Sequence, residues 1–352
     1  MVTAREQMES AVMELCRDVR PIASEDSYLI NTFKDGRFGV SFLSYIIYAN
    51  GYNERGMSRK HPLGLIYDDG STRFALGFFA RESDDTVHMH IIAPVGSLLT
   101  VDRFVKTIQD KMPGLTCYIR HLTSQQRTHL NRLGYHTVTA GCSQKWHPGA
   151  FAEDETFNHR VVDISAAFGK HFRRNIRQFE RFQSAANRLD IREYTPGQLS
   201  DAEFIIRSHF RWLKSRNKNI GSSWEDYMGV VENLPAGKNG HDYFAYIGYL
   251  QKKPAMLFIG ERTGKTAAGL YSCFALRHLH KNRDYSNGIS SYAYMHAFGN
   301  MRKAGIREVD VGGSETTDLD DFKRRTLCAR EAPTYWVVPS HPLYATETRL
   351  PS

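Results

Sequence analysis

The chain has 352 residues, and its 46 Lys and Arg residues against 38 Asp and Glu residues give a formal net charge of +8. Hydrophobic residues make up 41% and charged residues 24%, which excludes intrinsic disorder and a fibrous class. No apolar run approaches the ~18 residues of a membrane span, and the N-terminal segment mixes acids throughout and lacks the apolar stretch of a signal peptide. We therefore expect a cytoplasmic protein of about two domains, at ~150 residues per domain.

The five cysteines are scattered, odd in number and never spaced as C-x-x-C. This pattern argues against a disulfide framework and against a zinc site. His88 and His90 alternate on one predicted strand, and we interpret them as structural. The sequence thus predicts no metal site.

The first half predicts a meander of antiparallel strands followed by helix, strand, helix and strand. Helices are expected at 4–19, 100–111 and 124–133, the second starting at Thr100 or Asp102, and strands at 63–67, 74–80, 87–93, 115–119 and 135–139. The polar stretch around 146–158 has no periodicity, and we place the domain boundary there. The predicted division is 1–148 for the first lobe, 149–158 for a linker and 159–352 for the second lobe.

The second half predicts the same order again, which suggests a structural duplication. Its helices are expected at 166–188, 200–215 with a capping box at Ser200 and Glu203, 290–304 and 319–325. Its strands are expected at 160–163, 191–194, 243–250, 255–261, 268–276, 307–311 and 335–338, the last closing the second sheet. The fold class is therefore α/β (α+β), with two lobes that each hold a mixed, mostly antiparallel sheet flanked by helices.

The segment from Gly260 to Thr266, GERTGKT, resembles a phosphate-binding loop but has three residues between its glycines where that loop needs four. The residues after it predict a strand and not a helix. We interpret the segment as a hairpin turn in which Gly264 has a positive φ angle.

A helix from about 166 to 188 would carry a basic row on one face. Lys170, Arg173, Arg174, Arg177 and Arg181 follow the spacing of a single helix face, and phenylalanines form the opposite stripe. Arg presents a planar fork of donors that suits phosphates, so this face is a candidate anion-binding surface. Residues 151–352 carry 29 basic and 23 acidic side chains, a net charge of +6 out of the total of +8. A solvated surface helix is the alternative.

A second candidate segment runs from Gly305 through Gly312-Gly313 to Phe322-Lys323. Adjacent glycines after a strand allow backbone amides to approach a ligand. Ser314, Glu315 and Lys323 would lie at the carboxyl end of that strand, where a Lys can stabilise an oxyanion or a phosphate. A plain strand–turn–helix capped by Asp318 is the alternative, and the residues alone do not decide between them.

Taken together, these two segments resemble the FemABX-like aminoacyltransferases and the transferase domain of phosphatidylglycerol lysyltransferases. The resemblance covers roughly 30–340, and the residues that carry it are Lys170, Arg173, Arg174, Ile176, Arg177, Gly305, Asp310, Gly312, Gly313, Phe322 and Lys323. It implies two tandem GNAT-like lobes. It also implies transfer of an aminoacyl group from aminoacyl-tRNA to an amine or hydroxyl of a small metabolite, peptide, cell-wall precursor or lipid headgroup.

The expected roles follow from that chemistry. Lys323 or amides near Gly312-Gly313 would stabilise the oxyanion, and Asp310 or Glu315 would act as a base. An aminoacyl ester is already activated, so no cofactor is expected beyond aminoacyl-tRNA as co-substrate. Candidate RNA- or substrate-binding residues are Arg173, Arg174, Arg177, Arg181, Trp212, Trp224, Gly312, Gly313, Ser314 and Phe322. For the two tryptophans we favour packing in the core or in a lid over stacking on a base.

Two alternatives stay open. An acyl-CoA-dependent N-acyltransferase on the same fold would need a Gly-rich pyrophosphate loop at a helix start, and neither the Gln125 nor the Ser290 segment contains a glycine. A non-catalytic RNA-binding protein would use the arginine helix alone and would give Lys323 no role.

Overall fold

The computed structural model describes residues 4–23, 25–27, 30, 36–37, 39–49, 64–80, 87–138, 159–166, 168–216, 224–234, 242–313 and 317–339. Within these ranges no helix is both long and apolar enough to cross a membrane. The predicted linker at 149–158 lies outside them, as do Ser314 and Glu315.

The first sheet has seven strands in the order β1-β2-β3-β4-β5-β14-β6. All neighbours are antiparallel except β4 and β5. Helices α1, α3 and α4 belong to this sheet, and α1 and α3 bury their apolar faces with it in one core. The bounds are α1 Ala4–Leu15, β1 Val19–Pro21, β2 Leu65–Asp68, β3 Arg73–Ala80, β4 Val87–Val95, α3 Leu98–Lys111, β5 Thr116–Leu122, α4 Ser124–Arg132, β6 Tyr135–Thr137 and β14 Tyr335–Pro339.

The second sheet has the order β13-β7-β12-β11-β10-β9-β8, and only β11 and β12 are parallel. Helices α5 and α8 share an apolar core with one face of it. The bounds are β7 His159–Asp163, α5 Lys170–Phe182, β8 Leu189–Glu193, α6 Leu199–Ser215, α7 Trp224–Glu232, β9 Tyr243–Leu250, β10 Lys253–Arg262, β11 Ala267–Ala275, α8 Arg283–Lys303, β12 Glu308–Asp310, α9 Thr317–Asp321, a π-helical turn Phe322–Thr326 and β13 Arg330–Ala332.

The two sheets have corresponding strand orders, but they exchange one strand. In the first sheet β14 lies between β5 and β6, and in the second sheet β7 lies between β12 and β13. In sequence, β7 directly follows β6 of the first sheet, and β14 directly follows β13 of the second sheet. The prediction that 335–338 closes the second sheet is therefore wrong, because β14 pairs with β5 and β6.

The chain divides into two units, and the division differs from the predicted boundaries in two places. The first unit comprises the described residues of 1–23, 48–157 and 333–352, and the second those of 24–47 and 158–332. The segment 24–47 thus belongs to the second unit. It contains most of α2 (Phe42–Ala49), whose residues 42–46 are fully buried.

A buried carboxylate explains how the start of α2 is accommodated in the second unit. Glu261 on β10 is fully buried and accepts hydrogen bonds from the backbone N–H of Phe42 at 3.3 Å and of Leu43 at 3.0 Å. The hydroxyl of Ser41 accepts from Ser44 N at 3.4 Å and is also hydrogen-bonded to the Tyr271 hydroxyl. The free amides of the first turn are therefore satisfied, as a buried helix start requires.

Three local predictions need correction. Helix α3 begins after Ser97, whose hydroxyl accepts from Thr100 N, and not at Thr100 or Asp102. The capping box before α6 is formed by Thr195 and Gln198, and not by Ser200 and Glu203. The GERTGKT segment is a hairpin turn as predicted, but Gly264 does not have a positive φ angle. It is close-packed instead, since a Cβ there would lie 2.9 Å from Gly36 Cα.

Candidate functional site

Helix α5 presents the basic face that the sequence predicts. Lys170, Arg173, Arg174, Arg177 and Arg181 are exposed, whereas Phe172, Phe179 and Phe182 are buried in the core. The helix is shorter than predicted and begins after Gly169. Within the described residues, Arg181 has an acidic neighbour, Asp284 at 3.6 Å, and Arg173, Arg174 and Arg177 have none within 4.0 Å.

A close contact with α8 fixes the position of α5. A Cβ at Gly288 would lie 2.6 Å from the Asn175 carbonyl oxygen and 2.9 Å from Phe179 N, so only glycine permits the two helices to approach this closely. The Asn175 side-chain amide also donates to Ser291 Oγ at 3.2 Å. The exposed arginine row is therefore carried by a well-packed helix and not by a loop.

Lys323 holds the Gly312-Gly313 loop. Its side chain is buried, with 4% exposed, and its ammonium donates to the Gly312 carbonyl at 3.2 Å and to the Gly313 carbonyl. Gly312 has a φ of +70°, a conformation that favours glycine. An ammonium has three donors, and the two glycine carbonyls engage two of them.

Asp310 is engaged on both carboxylate oxygens. Oδ1 accepts from Gly312 N at 2.8 Å, and Oδ2 lies 3.0 Å from His159 Nδ1. Beside it, Arg160 pairs with Asp320 through Nε at 2.8 Å and Nη2 at 3.1 Å. Asp310 therefore orients the start of the glycine loop and the ring of His159.

The fold brings the two sequence segments together. A Cβ at Gly169, just before α5, would lie 2.6 Å from Cys328 Sγ, which follows the turn that carries Lys323. Phe322 packs on Tyr294 of α8, with ring centroids 5.7 Å apart. The start of the arginine helix and the glycine–lysine loop thus lie at one end of the second sheet.

This end of the sheet is also where two parallel strands part. The last paired residues of β11 and β12 are Gly269 and Asp310. Beyond that point β12 runs into the glycine loop, while β11 continues to Ala275. An extra residue at Tyr271 bulges β11 against β10, which bends the strand. Among the described residues, β11 therefore has no strand paired to this edge beyond Gly269, next to the glycine loop.

The tryptophans lie elsewhere, on helices that pack on the opposite face of the second sheet. Trp212 on α6 has the Arg216 guanidinium 4.9 Å from its ring centroid, and Trp224 on α7 has that of Arg207 at 3.8 Å. Phe274 of β11 contacts α6 and α7, and it pairs with Leu257 of β10. The residues before and after Leu257 point to the other face of the sheet, where they pack with α5 and α8.

His159, Arg160 and Asp320 are not among the site residues that the sequence predicts. A lone histidine beside a stretch without periodicity gives no local signal. Its partner Asp310 is 151 residues away, and only the pairing of β7 with β12 brings the two together. Among the residues that the structure describes, no group of three or more His, Cys, Asp or Glu could hold a metal ion.

No protein-family model matches the sequence, and no curated protein matches it. Solved structures do. A conserved protein of unknown function from Bacteroides thetaiotaomicron matches with a TM-score of 0.64 and 13% identity over 92% of this chain and 99% of that one. FemX matches with a TM-score of 0.57 and 10% identity over 93% and 99%.

A third structure is the C-terminal domain of a putative lysylphosphatidylglycerol synthetase from Agrobacterium fabrum. It matches with a TM-score of 0.54 and 12% identity over 92% of this chain and 94% of that chain. The chain has the tandem GNAT-like fold of FemX. At these identities the likeness establishes the fold alone. The predictions of two tandem GNAT-like lobes and of an α/β fold with two mixed sheets are confirmed.

Proposed function

We propose that the protein transfers an aminoacyl group from aminoacyl-tRNA to an amine or hydroxyl acceptor. The observation that carries the proposal is that the arginine face of α5 and the Lys323-held glycine loop meet at one end of a tandem GNAT-like lobe. The names of FemX and of lysylphosphatidylglycerol synthetase point to the same class of chemistry.

The donor needs a surface for phosphates, and α5 offers one. Arg173, Arg174 and Arg177 are exposed and have no acidic partner within 4.0 Å among the described residues, so their charge is not neutralised internally. Binding of a polyanion to such a row releases counterions and depends on salt. The row leads towards the glycine loop, where the ester end of the donor would lie.

The reaction consists of one acyl transfer. The acceptor nitrogen or oxygen attacks the ester carbonyl carbon, and a tetrahedral oxyanion forms. The bond from that carbon to the ribose oxygen then breaks, and the proton from the acceptor is delivered to the ribose oxygen. Backbone amides of the glycine loop, kept in place by Lys323, are the donors that would stabilise the oxyanion. The main role of Lys323 is to position the glycine loop, because its ammonium donates hydrogen bonds to the Gly312 and Gly313 carbonyls.

The base is better assigned to His159 than to Asp310. His159 Nδ1 lies 3.0 Å from Asp310 Oδ2, and a carboxylate in that position orients an imidazole ring for proton transfer. Asp310 accepts from Gly312 N with its other oxygen, so it orients the pair. Glu315 lies outside the described residues, and its role as a base stays a prediction.

The acyl-CoA alternative loses support from the position of α8. This helix begins at Arg283, seven residues before the predicted start, with Asn282 as its N-cap. The loop that would hold a pyrophosphate is therefore 276–282, which contains no glycine. Close approach of the backbone to a pyrophosphate at a helix start favours glycine there.

The test is to incubate the protein with a mixed pool of radiolabelled aminoacyl-tRNA and with amine, peptide and lipid-headgroup acceptors. Product that RNase abolishes would support the proposal, and acetyl-CoA with the same acceptors provides the competing arm. Transfer from acetyl-CoA but not from aminoacyl-tRNA would refute it. RNA binding without transfer to any acceptor class would favour the non-catalytic alternative.

A charge-reversed variant tests the arginine row. Arg173→Glu with Arg177→Glu should weaken aminoacyl-tRNA binding in a salt-dependent way, because each lost contact removes about 0.7–0.9 from the slope of log K against log salt. Binding of the wild-type protein that does not respond to salt would contradict phosphate recognition by this face.

A further inference from the structure

A second basic surface lies at the junction of α6 with the loop before α8. The last turn of α6 contains Trp212, and Arg216 directly follows that helix. The loop after β11 contains Arg277 and His278. We call these four residues the α6–α8 corner. The Trp212 and His278 rings are 11° from parallel with centroids 6.4 Å apart, and the Arg216 guanidinium lies 4.9 Å from the Trp212 centroid. Two aromatic rings and two guanidinium groups thus converge at one place.

Among the described residues, no acid pairs with the cations of this corner. Burial, with a smaller contribution from the charge of Arg216, lowers the pKa of Arg277, and the adjacent His278 stacks on Trp212, which the Arg216 guanidinium also contacts. Among the described residues neither guanidinium has an acidic partner within 4.0 Å. Arg277 Nε donates to the Ser286 carbonyl at 2.7 Å, which anchors its side chain on α8. Like charges held together without a counterion favour an anionic ligand.

The loop of the corner lies near the Arg181 end of α5. His280, in the loop that carries Arg277, packs on Phe182 at the end of α5 with ring centroids 4.9 Å apart. Arg181, the last basic residue of the row, lies 3.6 Å from Asp284 in the first turn of α8. The 13 residues of α5 span about 20 Å at 1.5 Å per residue, and these two contacts place the loop of the corner at the Arg181 end of that helix.

We infer that the α6–α8 corner binds single-stranded RNA, with Arg216 and Arg277 on phosphates and the Trp212–His278 pair against a base. The inference rests on the proposed function, whose donor would supply such a strand. Aromatic rings interleaved with cations are the usual surface for unpaired nucleotides. An anionic membrane fits less well, because the exposed large apolar residues among those described are Leu15, Leu99 and Phe204, and none of them is at the corner.

The experiment measures binding of a fluorescein-labelled 12-nucleotide single-stranded RNA by anisotropy across a salt series. Arg216→Gln with Arg277→Gln should weaken binding about 10- to 30-fold at 0.1 M salt and lower the salt slope by about 1.4, as expected for two lost contacts to a single strand. Trp212→Ala should weaken it at least about fivefold, and Trp212→Phe should restore most of that loss.

The matched control is Lys265→Gln with Arg307→Gln, which removes two exposed charges at the opposite end of β11. It should change the affinity less than twofold, and circular dichroism of every variant checks the fold. Equal losses in the corner and control variants would overturn the inference. So would corner-dependent binding of coenzyme A or of phosphatidylglycerol vesicles with RNA binding unchanged.

The outcomes separate this inference from the proposed function. Corner-dependent RNA binding without aminoacyl transfer would support the corner and refute the transferase. Aminoacyl transfer with RNA binding that is indifferent to the corner variants would refute the corner and leave the transferase standing.

Discussion

The contact between α5 and α8 at Gly288 allows a quantitative test of how the arginine row is positioned. In Gly288→Ala, the new Cβ would lie 2.6 Å from both the Asn175 carbonyl oxygen and Phe179 Cβ, against the 3.4 Å at which ordinary contact begins. Since these are atoms of the α5 backbone and its first side-chain carbon, no rotamer change can relieve the overlap. The two helices must separate by roughly 0.8 Å or bend.

The expected loss of stability can be estimated by comparing Gly288 with a second glycine of the same helix. Overpacking costs about 1–3 kcal/mol, whereas replacing a helical glycine with alanine gains about 1 kcal/mol. Gly299 is in the same helix, and a Cβ there has no heavy atom within 4 Å. Because the gain in helix propensity is common to both variants, Gly288→Ala should be about 1–3 kcal/mol less stable than Gly299→Ala.

The assay is urea unfolding of the wild-type protein and both variants, followed by circular dichroism, with RNA anisotropy as a second readout. Gly299→Ala should be at least as stable as the wild-type protein and bind RNA equally well. Gly288→Ala should unfold at lower urea and, because α5 is displaced, bind RNA more weakly. If the two variants unfold at the same urea concentration, Gly288 does not set the spacing of the helices.

Three further predictions concern buried polar groups. Lys323→Ala removes the hydrogen bonds to Gly312 and Gly313 and should reduce aminoacyl transfer at least about 100-fold in an assay with radiolabelled donor, while circular dichroism stays native; full activity would exclude the role. Glu261→Gln removes the charge at the start of α2 and should lower the unfolding free energy in urea by about 1–2 kcal/mol; unchanged stability would contradict the capping argument. Burial, with a smaller contribution from His278, lowers the pKa of His209 to about 4, so the unfolded chain takes up its proton first as the pH falls from 6.5. Stability should therefore decline between pH 6.5 and 4 by up to roughly 3 kcal/mol from this group, and His209→Gln should flatten that part of the profile; parallel profiles would refute the assignment.

Local spacing in the sequence predicts what depends on neighbours along the chain. The face of α5 is set by the 3.6-residue period, and its exposed arginines and buried phenylalanines are where that period places them. The start of α8 was missed because tertiary packing of Tyr285 and Ile289, both fully buried, extends the helix back to its cap at Asn282.

Contacts between distant segments are what the sequence argument could not supply. Asp310 was expected to be a base, but the backbone turn at Gly312 and the strand that carries His159 occupy its oxygens. Gly264 was expected to have a positive φ angle. A glycine is needed there instead because Gly36, 228 positions earlier in the chain, packs directly against it. Neither reason leaves a trace in local composition or periodicity.

The exchange of β7 and β14 has a consequence for synthesis on the ribosome. In the first sheet β5 and β6 each pair with β14, so that sheet stays open between β5 and β6 until residue 339 has been made. The second unit likewise needs the segment 24–47, which is translated long before the rest of it. We expect nascent chains to keep unpaired strand edges and to depend on chaperones until both exchanges are complete. Gene fragments cut near residue 150 should yield insoluble protein, because the first half lacks β14 and the second half lacks the segment 24–47.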